Sequence, residues 1–404
     1  MKQKPEQLHF QLPTQECWSH SWRQPALQFM HSNQHDGQRF CNALPRPQGR
    51  GRADLLKWLF KRKSSTWNVD IAKEHAEFHA VKRAIPQDRP QASIDDWQVW
   101  FVGHATVLLQ IGPYNLLTDP VWCEHVGPKH GKGPKRVMPQ DRPQANIDDW
   151  QVWFVGHATV LLQIGPYNLL TDPVWCEHVG PKHGKGPRRV MPAGIALQEL
   201  PTIHAVLLSH NHYDHMDLAS LQWLHHQFAM PIYTGLGNSW YLPKSFHVLE
   251  MDWWQSALLQ DLKIIYTPAQ HGSGRGIRDQ NRALWGGFSI LAGKDHCFFA
   301  GDTGYSPHFK EIQSRLGAPR VSLLPIGAYE PRELMRYMHM NPQDAFQAHQ
   351  DLHSKCSLAI HYRTFQLTDE SREQPELDLK VAMKNTSKLM TPFYCVREGR
   401  RLVV

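Results

Sequence analysis

"LLSHNHYDHMD", residues 207–217, decides how the rest of the chain is read. A strand-like apolar run ends here, and His210, His212, Asp214 and His215 follow within six residues. An extended backbone sends alternate side chains to one face, so His210 and His212 can grip one ion. A turn directly after them sends Asp214 and His215 toward a neighbouring ion. Neutral imidazole and carboxylate suit zinc, and two such ions about 4 Å apart can clamp the oxygens of a displacement. Four residues cannot complete two sites, so more ligands are expected at other strand ends.

Three candidates stand there. His271 closes "IIYTPAQH", Asp302 closes "CFFAGD", and His361 lies in "LAIHYRTF". A lone histidine at a strand end is usually a hydrogen-bonded core residue, and "GDTG" can be an ordinary turn. Their recurrence, each at the end of a β-branched or aromatic run, favours one shared site. Between these runs lie helical patterns such as "MDLASLQWLHHQF" and "NPQDAFQAHQDL", the latter opening with Asn341 as cap and Pro342 at the first helical position. Two mixed sheets covered by helices fit this order.

Upstream the chain repeats itself: residues 86–138 match 139–191, and only Ser93/Asn146 and Lys135/Arg188 differ. Solenoids need three or more drifting units, so a tandem duplication inside one domain is the better reading. All seven candidate ligands lie between His210 and His361, so neither copy is expected to supply one. The repeat then encodes first strands, plus a loop, "HVGPKHGKGP", suited to the mouth of the site. Two near-identical segments compete for one slot, and the second has the short connection to the metal loop. The expected division is a basic arm with one or two helices at 1–85, a surplus copy at 86–138 and a hydrolase domain at 139–404. A surplus "VWFVGHATVLLQI" would favour lower solubility, strand swapping or sheet extension.

The formal charge of +7 is local: residues 1–85 carry 14 Lys/Arg against 7 Asp/Glu, and residues 192–404 balance at 20 against 20. A nucleic-acid groove would want a basic stripe in the body, so none is expected. A basic arm can instead dock on anionic lipid or simply be a solvated surface. Within it, "ADLLKWLFKRK" puts Leu55, Leu56, Leu59 and Phe60 on one helical face, for core packing or lipid contact. His75 and His79 in "DIAKEHAEFHAVKRA" have zinc-binding spacing without a third ligand, and read as a solvated face. Seven cysteines with no CxxC read as reduced thiols in a cytosolic protein, and no run of 18 apolar residues occurs.

With these motifs in place, the chain resembles the metallo-β-lactamase superfamily and, within it, the branch of N-acylphosphatidylethanolamine-hydrolysing phospholipase D. "SHNHYDHMD" carries the superfamily likeness; "MDWWQ" and "LPIGAYEPR" narrow it. The resemblance implies an α/β fold, a four-layer αββα sandwich, here with a tandem-duplicated N-terminal strand segment. It implies two Zn²⁺ ions per chain: His210, His212 and His271 hold one, Asp214, His215 and His361 the other, and Asp302 bridges. Tyr213 and His339 match positions facing the substrate phosphate. Tyr362-Arg363 and Gly272 depart from the branch pattern, and an arginine beside His361 suits phosphate recognition.

The expected chemistry is attack on a phosphodiester by a metal-bridging hydroxide, with Asp302 and Asp214 as the catalytic carboxylates. The expected partner is a phospholipid or phosphate ester, reached from the cytoplasm with the arm at the inner face of the membrane; a homodimer is also in view. The alternatives are a lactonase or sugar-phosphate hydrolase of the same fold, a nuclease of the same superfamily, and a non-enzymatic metal-binding protein.

Overall fold

Most strands in the body of the chain are buried on both faces, which is why their sequences run apolar rather than alternating. The computed structural model describes residues 32–44, 67, 70–80, 97–103, 106–111, 114–118, 139–181, 184–384 and 391–404. The expected helix "ADLLKWLFKRK" lies outside these residues, as does the side chain of His79. "DIAKEHAEFHAVKRA" forms helix α1 (Ile71–Ala80), whose His75 Nε2 lies 3.1 Å from the Val190 carbonyl.

The repeat folds twice into the same hairpins. β1 (Trp97–Gly103), β2 (Thr106–Ile111) and β3 (Tyr114–Thr118) make a separate three-stranded sheet. β4 (Trp150–Gly156), β5 (Thr159–Ile164) and β6 (Tyr167–Thr171) repeat its registers, Trp150↔Ile164 matching Trp97↔Ile111. Unlike their counterparts, β4–β6 are built into a large sheet. It continues through β7 (Ala205–Leu208), helix α2 (Leu218–Phe228), β8 (Ile232–Gly235) and β9 (Val248–Met251).

A second sheet follows from β10 (Ser256–Leu259), β11 (Leu262–Thr267), β12 (Gly287–Ala292) and β13 (Asp295–Phe299). After helix α3 (His308–Leu316) come β14 (Val321–Pro325), helices α4 (Arg332–Met335) and α5 (Pro342–Asp351), β15 (Ser357–Ile360), helix α6 (Gln374–Lys384) and β16 (Phe393–Tyr394). The terminal β17 (Arg401–Val403) returns to pair with β4. The two mixed seven-stranded sheets are ordered β17-β4-β5-β6-β7-β8-β9 and β10-β11-β12-β13-β14-β15-β16. Each runs through three antiparallel pairings and then three parallel ones.

Period-two alternation sorts the side chains between two cores. Val152, Phe154, Leu169, Ala205 and Leu207 join Ile264, Tyr266, Phe288, Ile290 and Phe299 of the other sheet in the larger cluster. Their neighbours Trp153, Val155, Leu170, Val206 and Leu208 face away, against Leu221 and Leu224 of α2. The helices carry the expected caps: Asp217 accepts from the Ala219 amide, and Asn341 and Asp344 form a reciprocal capping box with Pro342 inside the first turn.

Residues 32–44 of the arm are packed rather than loose. Phe40 is 1% exposed in the main core, and the Asn42 amide makes two hydrogen bonds to the His271 peptide. The arm's lack of periodicity hides this, because side chains rather than a helical face hold it.

Candidate metal centre

Side chains from the C-terminal ends of both sheets converge on one place. His210 follows β7, and its Nε2 lies 2.8 Å from His212 Nδ1; His271, beyond β11, brings its Nε2 to 3.2 Å from the same atom. The outer nitrogens explain why the inner ones face each other. The Met338 carbonyl, 2.8 Å from His271 Nδ1, must accept a proton there, leaving the Nε2 lone pair of the neutral ring inward. Ser209 Oγ donates to Asp172 Oδ2 at 2.6 Å and can accept from His210 Nδ1 at 2.9 Å, which turns the His210 Nε2 lone pair inward as well. Converging lone pairs repel each other unless a cation sits among them.

The second cluster is richer in charge. Asp214 Oδ2 lies 3.5 Å from His215 Nε2 and 3.4 Å from His361 Nε2. Asp302 Oδ2 lies 3.2 Å from His215 Nε2, 3.1 Å from His361 Nε2 and 3.7 Å from His271 Nε2, so it stands between the clusters. The Nε2 atoms of His215 and His361 and Oδ1 of Asp302 are buried and make no hydrogen bond. Polar atoms left so in a core each cost about 1–3 kcal/mol, and a bound ion removes that cost. The donor set therefore fits a pair of metal ions.

Electrostatics keep Asp214, Asp302, His210 and His271 in ligand form, while the carboxylates draw protons onto His215 and His361 that an ion must displace. Burial, the largest single influence, opposes ionisation of Asp214 and Asp302, yet His215 and His361 together, with His157 at Asp214, outweigh it and hold both carboxyls well below their usual range. Burial drives His210 and His271 well below the usual imidazole value, so both are neutral near pH 7. His361 goes the other way, to about 9: burial lowers it, but Asp302 and Asp214 prevail.

A cavity of about 210 Å³ opens over His212, Asp214 and Asp302, with His339 and Thr368 beside them and Ala328, Met335, Met338 and Leu367 as apolar wall. His339 Nδ1 lies 3.8 Å from Asp302 Oδ2 and makes no hydrogen bond; burial pushes its ring down to about 4. Tyr213 does not line this cavity. Its hydroxyl donates to the Arg275 carbonyl at 2.6 Å, and the Arg275 guanidinium lies 4.0 Å over its ring. Arg363 is also directed elsewhere, pairing with Glu376 at 3.1 Å, so the expectation that it reads phosphate is corrected.

The repeat, expected to supply no ligand, nonetheless reaches the centre with two supporting side chains. His157, after β4, is 1% exposed with Nε2 3.1 Å from Asp214 Oδ2, and Asp172, after β6, holds His215 Nδ1 at 2.6 Å. Asp172 thereby fixes the His215 tautomer with Nε2 toward the site. Both follow strands in the sequence, as the candidate ligands do, and that placement was the available signal. Burial, opposed by Asp214, pushes His157 down to about 3 and keeps it neutral. His157, Asp172, Ala328, His361 and Arg363 all have positive φ, a strained backbone gathered at one place.

The model of a beta-lactamase superfamily domain matches residues 167–362. An uncharacterised protein of Mycobacterium tuberculosis is 37% identical over 231 residues, 55% of this chain, and the match spans 61% of that protein's length. The N-acyl-phosphatidylethanolamine-hydrolyzing phospholipase D 1 of Caenorhabditis elegans is 32% identical over 289 residues, 66% of this chain and 81% of the worm protein. Among solved structures, a possible metal-dependent hydrolase from Veillonella parvula matches with a TM-score of 0.50 at 16% identity, over 64% of this chain and 100% of that one. At that identity the likeness concerns the fold alone.

Proposed function

The chain belongs to the metallo-β-lactamase superfamily, and from that membership and its donor set we propose a two-zinc hydrolase cleaving N-acyl phospholipids as a phospholipase D does. In this reading His210, His212 and His271 hold one ion, Asp214, His215 and His361 hold the other, and Asp302 serves both. The observation that carries it is the convergence of the unpaired Nε2 atoms of His215 and His361 on the carboxylates of Asp214 and Asp302 beneath an apolar-walled cavity.

When bound, the ions would lower the pKa of water toward neutrality and offset charge gathering on phosphoryl oxygens. The protein's own groups orient and exclude. His339, neutral and with Nδ1 unpaired, would face the phosphate beside Asp302. Met335, Met338 and Leu367 supply an apolar wall for the lipid, keeping water from that side. Tyr213, through Arg275, steadies the metal loop. The fold is read as a four-layer αββα sandwich spanning 139–404, with 86–138 as surplus and 1–85 as a basic arm against an anionic membrane surface. Among the described residues no helix is long and apolar enough to cross a membrane.

Zinc-loaded protein incubated with N-acylphosphatidylethanolamine in mixed micelles is expected to yield N-acylethanolamine and phosphatidic acid by mass spectrometry, and Asp302→Ala neither. No turnover with two zinc ions bound would send the reading to the smaller phosphate esters and lactones that a cavity of about 210 Å³ also suits.

A further inference from the structure

His157 is a residue the two-metal reading does not use, yet the chain invests in its placement. It sits in the turn between β4 and β5 with φ of +58°, where a non-glycine residue is strained. Two backbone hydrogen bonds hold it there: its amide donates to Thr364 Oγ1 at 2.9 Å, and the His361 amide donates to its carbonyl at 2.9 Å. Phe365 meets the ring edge-on with centroids 5.2 Å apart, and the His361 ring lies at 4.1 Å. The imidazole cannot swing away. Its Nε2 lies 3.1 Å from Asp214 Oδ2, and its Nδ1 is buried with no partner.

That unpaired nitrogen separates two roles. As a metal ligand His157 would bind through Nε2, and the proton would move to Nδ1, leaving a buried donor with nothing to accept it. With the proton on Nε2, the ring donates to Asp214 and Nδ1 is merely an unused acceptor, the less costly arrangement. Simple packing is no better account, since an apolar ring would fill the space without burying a nitrogen.

We propose that His157 is a positioning residue of the metal centre: its Nε2–H, donated to Asp214 Oδ2, fixes the carboxylate that holds the second ion. The proposal rests on the two-metal reading above. The same oxygen faces His215 Nε2 at 3.5 Å and His361 Nε2 at 3.4 Å, so the hydrogen bond sets the atom that is offered to the second ion. The copy of the repeat in the large sheet thus completes the site, and His104 is the matching residue of the other copy.

The test uses the full chain with His104→Ala throughout, so that only the second copy carries the histidine. Zinc and cobalt titrations give the two affinities, and the cobalt absorption spectrum reports the geometry at each ion. His157→Phe, which keeps the volume and removes the donor, is expected to leave the first ion tight and weaken the second about 10–100-fold, with an altered cobalt spectrum. His157→Gln, which returns an N–H to the same reach, is expected to recover most of that loss. A properly folded His157→Phe with both affinities and the spectrum unchanged overturns the proposal, as does His157→Gln behaving like Phe. If the unsubstituted chain takes up no second ion, the two-metal reading itself fails.

Discussion

The side-chain amide of Asn42 closes on both polar groups of the His271 peptide, its Oδ1 accepting from the amide at 2.9 Å and its Nδ2 donating to the carbonyl at 2.8 Å. Through that clamp the arm helps set where a candidate ligand stands. Asn42→Leu keeps the size and removes both bonds; the ion at His210, His212 and His271 is expected to bind about 10-fold more weakly in a competition titration, with the other ion unaffected. Equal loss at both positions would mean a general loosening instead. The candidate ligands were legible because each stands just past an apolar run, all but His361 among turn-forming residues. Asn42 was not legible, since a lone asparagine among Gln, Pro and His carries no period. His157 was visible as "GHAT" after a strand, but it stands outside the 210–361 span that holds the candidate ligands. Arg363 misled because sequence neighbours of a ligand need not point with it, and its guanidinium pairs with Glu376 instead.

Elements reach the centre through their ends, and small residues let them come close enough. Gly301 has φ of +60°, and a Cβ there would stand 2.7 Å from Ser209 Cβ and 2.8 Å from the Gly286 carbonyl oxygen. Gly327 passes still closer to the His361 carbonyl, where a Cβ would come to 2.2 Å. Gly301→Ala is therefore expected to lower the melting temperature by several degrees, the left-handed conformation alone costing about 1–2 kcal/mol, and to reduce metal content by shifting Asp302. Unchanged stability and full metal content would show that the β13 end yields freely. Strands with a buried face and capped helices could be read from periodicity and cap chemistry. The two-residue β16 and three-residue β17 could not, being too short to show either.

At the scale of the molecule, His157, Asp172, His210 and Asp214 come from one sheet's strand ends and His271, Asp302 and His361 from the other's. Ions held between them would tie the two sheets together. Chelation is thus expected to lower the unfolding midpoint well beyond an effect on one loop, since ligand at about 1,000 times its dissociation constant contributes about 4 kcal/mol. Calorimetry with and without EDTA measures this; identical midpoints would place the ions outside the folding equilibrium. Removing residues 86–138 is expected to leave metal content intact and the midpoint within a few degrees, because the large sheet takes its strands from the second copy. A folded but metal-free deletion would contradict that. The short connection points to the copy that enters the sheet, but pattern along a strand says nothing of what faces its end, so the approach of that copy's histidine to Asp214 was not legible. The two near-identical blocks also have a meaning for inheritance. Direct repeats in a coding sequence recombine with each other, so a lineage carrying this gene can shed one block in a single event and keep a working site. The block that is free to drift is the one outside the large sheet, and in time its histidine should be among the letters it loses.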